Sequence, residues 1–297
     1  MRHYLSFADF SAEEIHKVLE LARLWKQHRY EWIRSKRLLE GETWALLFSK
    51  SSTRTRVSFE VGLREMGAQA LFLSDKEIQA GRGEPIIDTA RVLGRMVHGA
   101  VIRTHEHADI ETFAQSSGII TINALTNEEH PCQVLADLLT WEELRGSIRG
   151  HRVAFIGDAG CNVARSWMIA ARLLSFELVL AAPREYWPSV VDKNCTLTED
   201  PYQAAKGAHL LYTDVWVSMG FEHQKQQRLK DFLGYQINES LLEFAAPDAL
   251  VMHCLPAYRG MEITEEAFEA HSATIFQQAE NRLHVQKAIV EFLIQWR

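Results

Sequence analysis

Ser51-Ser52-Thr53-Arg54-Thr55-Arg56 packs short hydroxyls and two guanidinium groups into six consecutive residues. The run falls between an apolar segment, Thr43 to Phe48, that reads as a buried strand and a helical pattern beginning near Val57. A helix start offers unpaired N–H groups and the positive end of its dipole, which suits an anion. Hydroxyls and guanidinium forks add directional donors of the kind that hold phosphate. Alone, the cluster also fits a Ser/Thr cap followed by two solvated arginines, and it lacks the glycines of a Walker A loop. Arg103 ends a second strand pattern, where a side chain can project into a ligand crevice. His130 stands before Pro131, which opens a helix, and Gln133 follows one turn on along the same face. Fixed donors there can polarise a carbonyl; the plainer alternative is a capping histidine and a solvated glutamine.

A different chemistry gathers in the second half. Asp214-Val215-Trp216-Val217-Ser218-Met219-Gly220 follows the strand pattern Leu210 to Thr213. A carboxylate at such a strand end can pair with an amino acid's α-ammonium, with Ser218 adding a hydrogen bond. Asn162 opens a helix after Gly157-Asp158 and offers donors to an α-carboxylate beside the positive helix end. An Asx-turn at Asp214 and an ordinary cap at Asn162 are the competing structural roles. His253-Cys254 closes a buried strand pattern, Leu250 to Leu255. A core cysteine is the simple account. Zinc is the weaker one, since strand neighbours point to opposite faces and no second ligand pair is evident.

These groups need elements to hold them. Ser11 to Glu14 has capping-box spacing, and Ile15, Val18, Leu19, Ala22 and Trp25 recur at helical intervals. Further strand patterns at Ala70–Leu73, Ala100–Arg103 and Ile119–Ala124 alternate with helical ones at Asp88–Met96, Ile110–Gln115 and Pro131–Leu144. After the polar stretch 145–150 the alternation resumes with a strand at Val153–Gly157, a helix at Asn162–Leu174 and strands at Leu178–Ala182, Leu210–Thr213 and Leu250–Leu255. Alternation of this kind implies parallel sheets covered by helices. The expected fold is α/β in two domains, residues 1–145 and 146–278, with ligands in the cleft between them at the strand C-termini. A last helix, Ala279 to Trp296, is expected to pack back on the first domain.

Composition excludes several classes. The 297 residues are 47% hydrophobic and 24% charged, with formal charge −7 and no long basic run, so no nucleic-acid partner is expected. No apolar stretch reaches the roughly 20 residues of a membrane span, and no targeting segment is visible. Cys132, Cys161, Cys195 and Cys254 form no CxxC pair, which suggests reduced thiols and a cytoplasmic setting. A nicotinamide-dependent dehydrogenase built on Val153–Asp158 is disfavoured because Gly157-Asp158-Ala159-Gly160 is not GxGxxG. A non-enzymatic binding homologue is a further alternative.

Ser52-Thr53-Arg54-Thr55-Arg56 followed by Val57-Ser58-Phe59-Glu60 resembles the carbamoyl-phosphate signature of the aspartate/ornithine carbamoyltransferase family. The resemblance continues in order through Asp88–Leu93, Arg103-Thr104, Asn123–Thr126, the His130–Asp137 stretch HPCQVLAD, the segment DxxxSMG at 214–220, HCLP at 253–256 and Ala279–His284. It implies a carbamoyl-phosphate site made of Ser52, Thr53, Arg54, Thr55, Gln79, Arg103, His130, Gln133, Cys254, Leu255 and Arg282. Thr55, Arg103 and His130 would contact the carbonyl oxygen, and Gln133 with the Cys254-Leu255 backbone the carbamoyl nitrogen. Gln79 would reach a neighbouring subunit's site in a homotrimer or an assembly of trimers. DxxxSMG resembles the segment that binds ornithine in the family's ornithine-specific branch, with Asn162, Asp214, Ser218 and Met219 as its contacts. Transfer to another amine, such as an acylated ornithine or putrescine, is the runner-up. Catalytic work would fall to Arg103, His130, Cys254 and Asp214, with no metal or organic cofactor. Cys161 departs from the pattern, since many relatives carry asparagine just before the position of Asn162.

Overall fold

The structure is a computed structural model describing residues 1–74, 83–218 and 220–297. Gln79 and Met219, both implicated above, lie outside the described residues. The chain divides into two compact units, Met1–Leu139 with Glu280–Arg297, and Thr140–Ala279.

In chain order the first unit begins with helices α1 (Ala12–Gln27) and α2 (Arg29–Ser35), strand β1 (Thr43–Phe48), α3 (Thr53–Glu65) and β2 (Gln69–Ser74). It continues through α4 (Ile86–Leu93), β3 (Gly99–Arg103), α5 (His107–Ser117), β4 (Ile120–Leu125) and α6 (Pro131–Arg145), the last of which runs across the division. The four strands pair in parallel in the order β2-β1-β3-β4. Every residue of β3 is buried, and Ala45, Leu47, Ala100 and Ile102 pack with Ala90, Ile110 and Phe113 of the helices. Gly99 is required where β3 starts, because a Cβ there would lie 2.5 Å from the Trp44 ring. Ser11 caps α1 as its spacing foretells: its hydroxyl accepts from the Glu14 N–H, and the Glu14 carboxylate accepts from the Ser11 N–H.

The second unit runs β5 (Arg152–Ile156), α7 (Asn162–Leu174), β6 (Glu177–Ala181), β7 (Cys195–Thr198), α8 (Pro201–Ala205), β8 (Leu210–Thr213), α9 (Lys225–Asp231), α10 (Glu239–Leu242), β9 (Leu250–His253) and α11 (Glu265–Ala270). Its strands are also parallel, ordered β7-β6-β5-β8-β9. The expected α/β architecture with parallel sheets is therefore present. The last helix, α12 (Ser272–Ile294), begins seven residues before the expected Ala279, since the residues ahead of it continue the same turn without a glycine or proline to stop it. Among the described residues no helix is long and apolar enough to cross a membrane.

In each sheet the strand order reverses once, between β1 and β3 and between β5 and β8. At such a switch point the connections leave in opposite directions and open a crevice at the strand C-termini. Ser51–Arg56 and Arg103 lie at the first, and Asp158–Asn162 and Asp214 lie at the second.

The part of α12 in the first unit meets α1, α2 and α3 through charged groups. Lys287 and Arg29 both donate to Glu65, each at 2.6 Å, and Trp25 and Lys36 donate to Glu291 at 2.7 and 2.6 Å. Buried His284 is pushed down to about 3 by desolvation, then by Lys287, Lys26 and Arg29. Between about 3 and 6.5 the unfolded chain binds a proton that the folded chain refuses. Stability from this group is therefore complete above the unfolded value and is lost as pH falls, by up to ~1.4 kcal/mol per pH unit. His284→Gln should flatten the fall in urea midpoint between pH 6 and pH 4.5; an unchanged fall would refute this assignment.

Candidate active site

α3 starts at Thr53 rather than near Val57. Ser52 is the cap residue, extended at φ −163°, and its hydroxyl accepts from the Thr55 N–H at 3.2 Å. Thr53, Arg54 and Thr55 consequently occupy the first turn, where the dipole field is strongest. The two arginines then part company. Arg56 is exposed, donates to Glu60 at 2.7 Å and stacks 3.7 Å from the Phe72 ring centroid. It is committed to a surface pair on the side of Glu60 and Phe72. Arg54 is half-buried, and no ion pair or hydrogen bond ties its guanidinium to any described residue.

Behind the helix start, buried groups converge from three other elements. Arg103 ends β3, and the β3–β4 register shifts between Ile102 and Arg103. Such an irregularity re-aims the last side chain. The Arg282 guanidinium of α12 donates to the Thr55 hydroxyl at 2.6 Å. His130, one residue before α6, is 5% exposed. Burial first, and then the charges of Arg282 and Arg103, hold its imidazole well below the usual histidine range. A neutral imidazole near two guanidinium groups can donate a hydrogen bond without adding a third charge. Gln133 and Asp137 lie side by side on α6, the Gln133 amide donating to the Asp137 carboxylate at 2.8 Å. Lys50 was not singled out from the sequence. It is buried and donates to Asn127 Oδ1 at 2.6 Å, tying the end of β1 to the segment before His130. Its position directly ahead of the hydroxyl run was the available signal. Cys132, pushed up to about 12 by burial, is an unreactive thiol donating to the Asn123 carbonyl.

The second unit builds its cluster at the β5–β8 switch point. Gly157 follows β5 at φ +136°, a conformation side chains rarely adopt, and turns the chain toward α7. Cys161, not Asn162, caps α7: its sulfur accepts from the Ala164 N–H at 3.4 Å. Asn162 is thereby the first helical residue, and the simple capping role for it is set aside. Burial raises the Cys161 thiol well above its ordinary value, with Asp158 and Asp214 adding to the effect.

Asp214 follows β8, and Cys254 follows β9. The Cys254 thiol donates to Asp214 Oδ1 at 2.9 Å, and the Val215 N–H donates to the same oxygen at 2.7 Å. Burial raises the Asp214 carboxyl above the normal range, against the lowering influence of His253, Cys254 and the Val215 N–H. Beneath them His253 and Glu262 are fully buried. The Leu255 N–H donates to His253 Nδ1 at 2.9 Å, which leaves the proton on Nε2, 3.1 Å from Glu262 Oε1. Leu255 adopts φ 59°, a strained value for a side-chain-bearing residue, and this bends the chain sharply after His253.

β9 ends at His253, so the expectation from strand alternation that His253 and Cys254 point apart does not apply to Cys254. Asp214, His253 and Cys254 each place a potential ligand atom within 4.8 Å of the others. Both His253 ring nitrogens are nevertheless engaged, one by the Leu255 N–H and one by Glu262, so a metal would have to displace one of these bonds.

Sequence reading missed the clasp joining the loop at Asp158 to the loop after Asp214. Arg228 of α9 donates to Asp158 Oδ2 at 2.7 Å and to the Trp216 carbonyl at 3.1 Å. Tyr186 and Phe221 rings lie 4.8 Å from its guanidinium carbon. The other Asp158 oxygen accepts from the Gly160 N–H at 2.9 Å. One buried arginine thus fixes both the turn before Asn162 and the loop carrying Ser218. Seventy residues separate the partners, and no local pattern signals the pairing.

Known proteins share both halves. Residues 2–143 match the carbamoyl-P binding domain of aspartate/ornithine carbamoyltransferase, and residues 149–293 match its Asp/Orn binding domain. An ornithine carbamoyltransferase of Akkermansia muciniphila is 52% identical over 99% of this chain and 98% of its own length. One from Archaeoglobus fulgidus is 47% identical over 98% and 96%. The crystal structure of an anabolic ornithine carbamoyltransferase from Campylobacter jejuni superposes with a TM-score of 0.92 at 41% identity, covering 100% of both chains. On these matches and this architecture, the chain belongs to the aspartate/ornithine carbamoyltransferase family.

Proposed function

We propose that this protein transfers the carbamoyl group of carbamoyl phosphate to the δ-amine of L-ornithine, giving L-citrulline and phosphate. The observation that carries the reading is a neutral, buried His130 held beside Arg103 and Arg282, behind a helix start bearing Arg54. That arrangement suits a doubly charged acyl phosphate whose carbonyl oxygen gains negative charge on attack.

In the first unit, Ser52, Thr53, Arg54 and Arg282 grip the phosphate, while Thr55, Arg103 and His130 face the carbonyl oxygen. In the second, Asp214 pairs with the α-ammonium of ornithine, and Asn162, Ser218 and Met219 orient its α-carboxylate end. The δ-nitrogen attacks as the free amine. A C–N bond forms, the C–O bond to phosphate breaks, and the surplus proton on nitrogen leaves by Asp214 and Cys254 or directly on the departing phosphate. Holding both reactants turns a bimolecular encounter into an effectively unimolecular step. The guanidinium groups and the helix end supply the charge stabilisation, so the scheme uses no cofactor. We further place the enzyme in the cytoplasm as a homotrimer or an assembly of trimers, with Gln79 delivered to a neighbouring subunit. Four free cysteines support a reducing compartment.

Steady-state assays with ornithine, N-acetylornithine, putrescine and aspartate, each with carbamoyl phosphate, test the acceptor. Ornithine should be preferred about a hundredfold or more in kcat/KM, because an analogue lacking an α-group leaves buried polar partners unpaired. Equal or better turnover of any other amine would overturn the choice of acceptor.

A further inference from the structure

We infer that Asp137 is the positioning residue that makes the donor site selective for a carbamoyl group over other acyl groups of the same shape. The inference rests on the proposed use of carbamoyl phosphate.

Gln133 and Asp137 stand four residues apart on α6, hence one above the other on the same face. Both are buried, 1% and 0% exposed. A glutamine amide is nearly symmetrical in shape, and its orientation is set by what it meets. Here it meets a carboxylate oxygen at 2.8 Å. The NH2 group faces Asp137, since the reversed amide would press its oxygen against a carboxylate oxygen. The amide oxygen is therefore turned the other way. Gln133 Oε1 is buried, and no described residue donates to it.

An acceptor left open in a buried site selects for a ligand that brings a donor. His130, on which the oxyanion contact is placed, is three residues before Gln133 on the same turn. Arg103 and Arg282 lie close enough to His130 to depress its proton affinity, yet neither fills the Gln133 oxygen. Carbamoyl phosphate carries an NH2 on its carbonyl carbon. Acetyl phosphate carries a methyl group of similar size and would leave the oxygen bare. Asp137 need not touch substrate for this to work: it acts by holding the amide one way round.

Asp137→Asn tests the idea while preserving shape. An asparagine can donate or accept, so the Gln133 amide is no longer fixed. Direct binding of carbamoyl phosphate and of acetyl phosphate should be measured on the full-length wild-type and variant proteins. Any change of charge at this position affects both ligands alike, and the ratio of their affinities cancels it. Wild type should favour carbamoyl phosphate at least a hundredfold, and the variant should lose about tenfold of that ratio. Adding Asp137→Asn to Gln133→Ala should leave the ratio where Gln133→Ala alone puts it, since Asp137 acts only through the amide. A ratio in Asp137→Asn within twofold of wild type, or a further loss in the double variant, overturns the inference. The wild-type ratio needs no variant and stands even if Asp137→Asn does not fold: near-equal affinities overturn the inference alone. Binding of neither acyl phosphate would overturn it together with the proposed function.

Discussion

Replacing Arg54 with alanine is expected to weaken carbamoyl phosphate binding by a hundredfold or more, with no loss of folding stability. Arg54 is the second residue of α3 and is half-buried, and no described residue supplies an anion for it. A cation at the positive end of a helix is unfavourable until an anion arrives. A bidentate charge-assisted pair contributes on the order of 3 kcal/mol, and each 1.4 kcal/mol is tenfold in affinity. The sign for the free protein runs the other way. Removing a cation from a helix N-terminus leaves the melting temperature unchanged or slightly raised. Arg56→Ala is the contrast, since Glu60 and Phe72 already hold that guanidinium. Its effect on carbamoyl phosphate affinity should stay within about fivefold, a surface pair being worth ~1 kcal/mol at most. Equal losses in the two variants, or retained affinity within tenfold in Arg54→Ala, would remove Arg54 from the phosphate site.

Arg228→Met should destabilise the second unit strongly and raise the KM for ornithine at least tenfold while sparing carbamoyl phosphate affinity. Arg228 and Asp158 are both largely shielded from water and 2.7 Å apart. Removing one member of a buried pair leaves the other charge stranded, at a cost of about 3–5 kcal/mol. The substitution keeps an unbranched apolar stem between the Tyr186 and Phe221 rings, so the loss reflects the guanidinium rather than an emptied space. It also releases the Trp216 carbonyl, and with it the loop that carries Ser218. Urea unfolding gives the first quantity and initial-rate kinetics the second. A variant with normal stability and an unchanged ornithine KM would show that the clasp positions nothing.

Much of the fold is legible in the sequence. The strand at Thr43–Phe48, the strand at Leu210–Thr213 and the helix at Asn162–Leu174 have the expected bounds, because apolar runs end abruptly at polar or glycine-bearing turns. The start of α3 was misplaced by four residues. Its first turn is made of hydroxyls and arginines rather than the apolar residues that reveal a helix by periodicity. Strand β7, Cys195–Thr198, is short, polar and only partly buried, so it carried no apolar signal. Helix α2 buries no residue and gave none either.

The candidate residues are named by their types and spacing, whereas their mutual contacts are not. Nothing local distinguishes Arg54 from Arg56, since the difference is made by Phe72 across the sheet edge and Glu60 one turn on. Asp214 and Cys254 could be nominated separately, but their 2.9 Å contact depends on β8 and β9 being neighbours. The supporting layer of Asp137, Asp158, Arg228 and Glu262 consists of buried charged residues. Their meaning comes from partners up to seventy residues away, beyond what spacing can convey.

The most direct test follows the carbonyl carbon itself. Enzyme supplied with 13C-carbamoyl phosphate and ornithine labelled with 15N at the δ position should yield one new carbonyl resonance, split by a directly bonded 15N. It should grow in step with released phosphate. An unsplit carbonyl signal, or label recovered only as bicarbonate while phosphate accumulates, would contradict transfer to the δ-nitrogen.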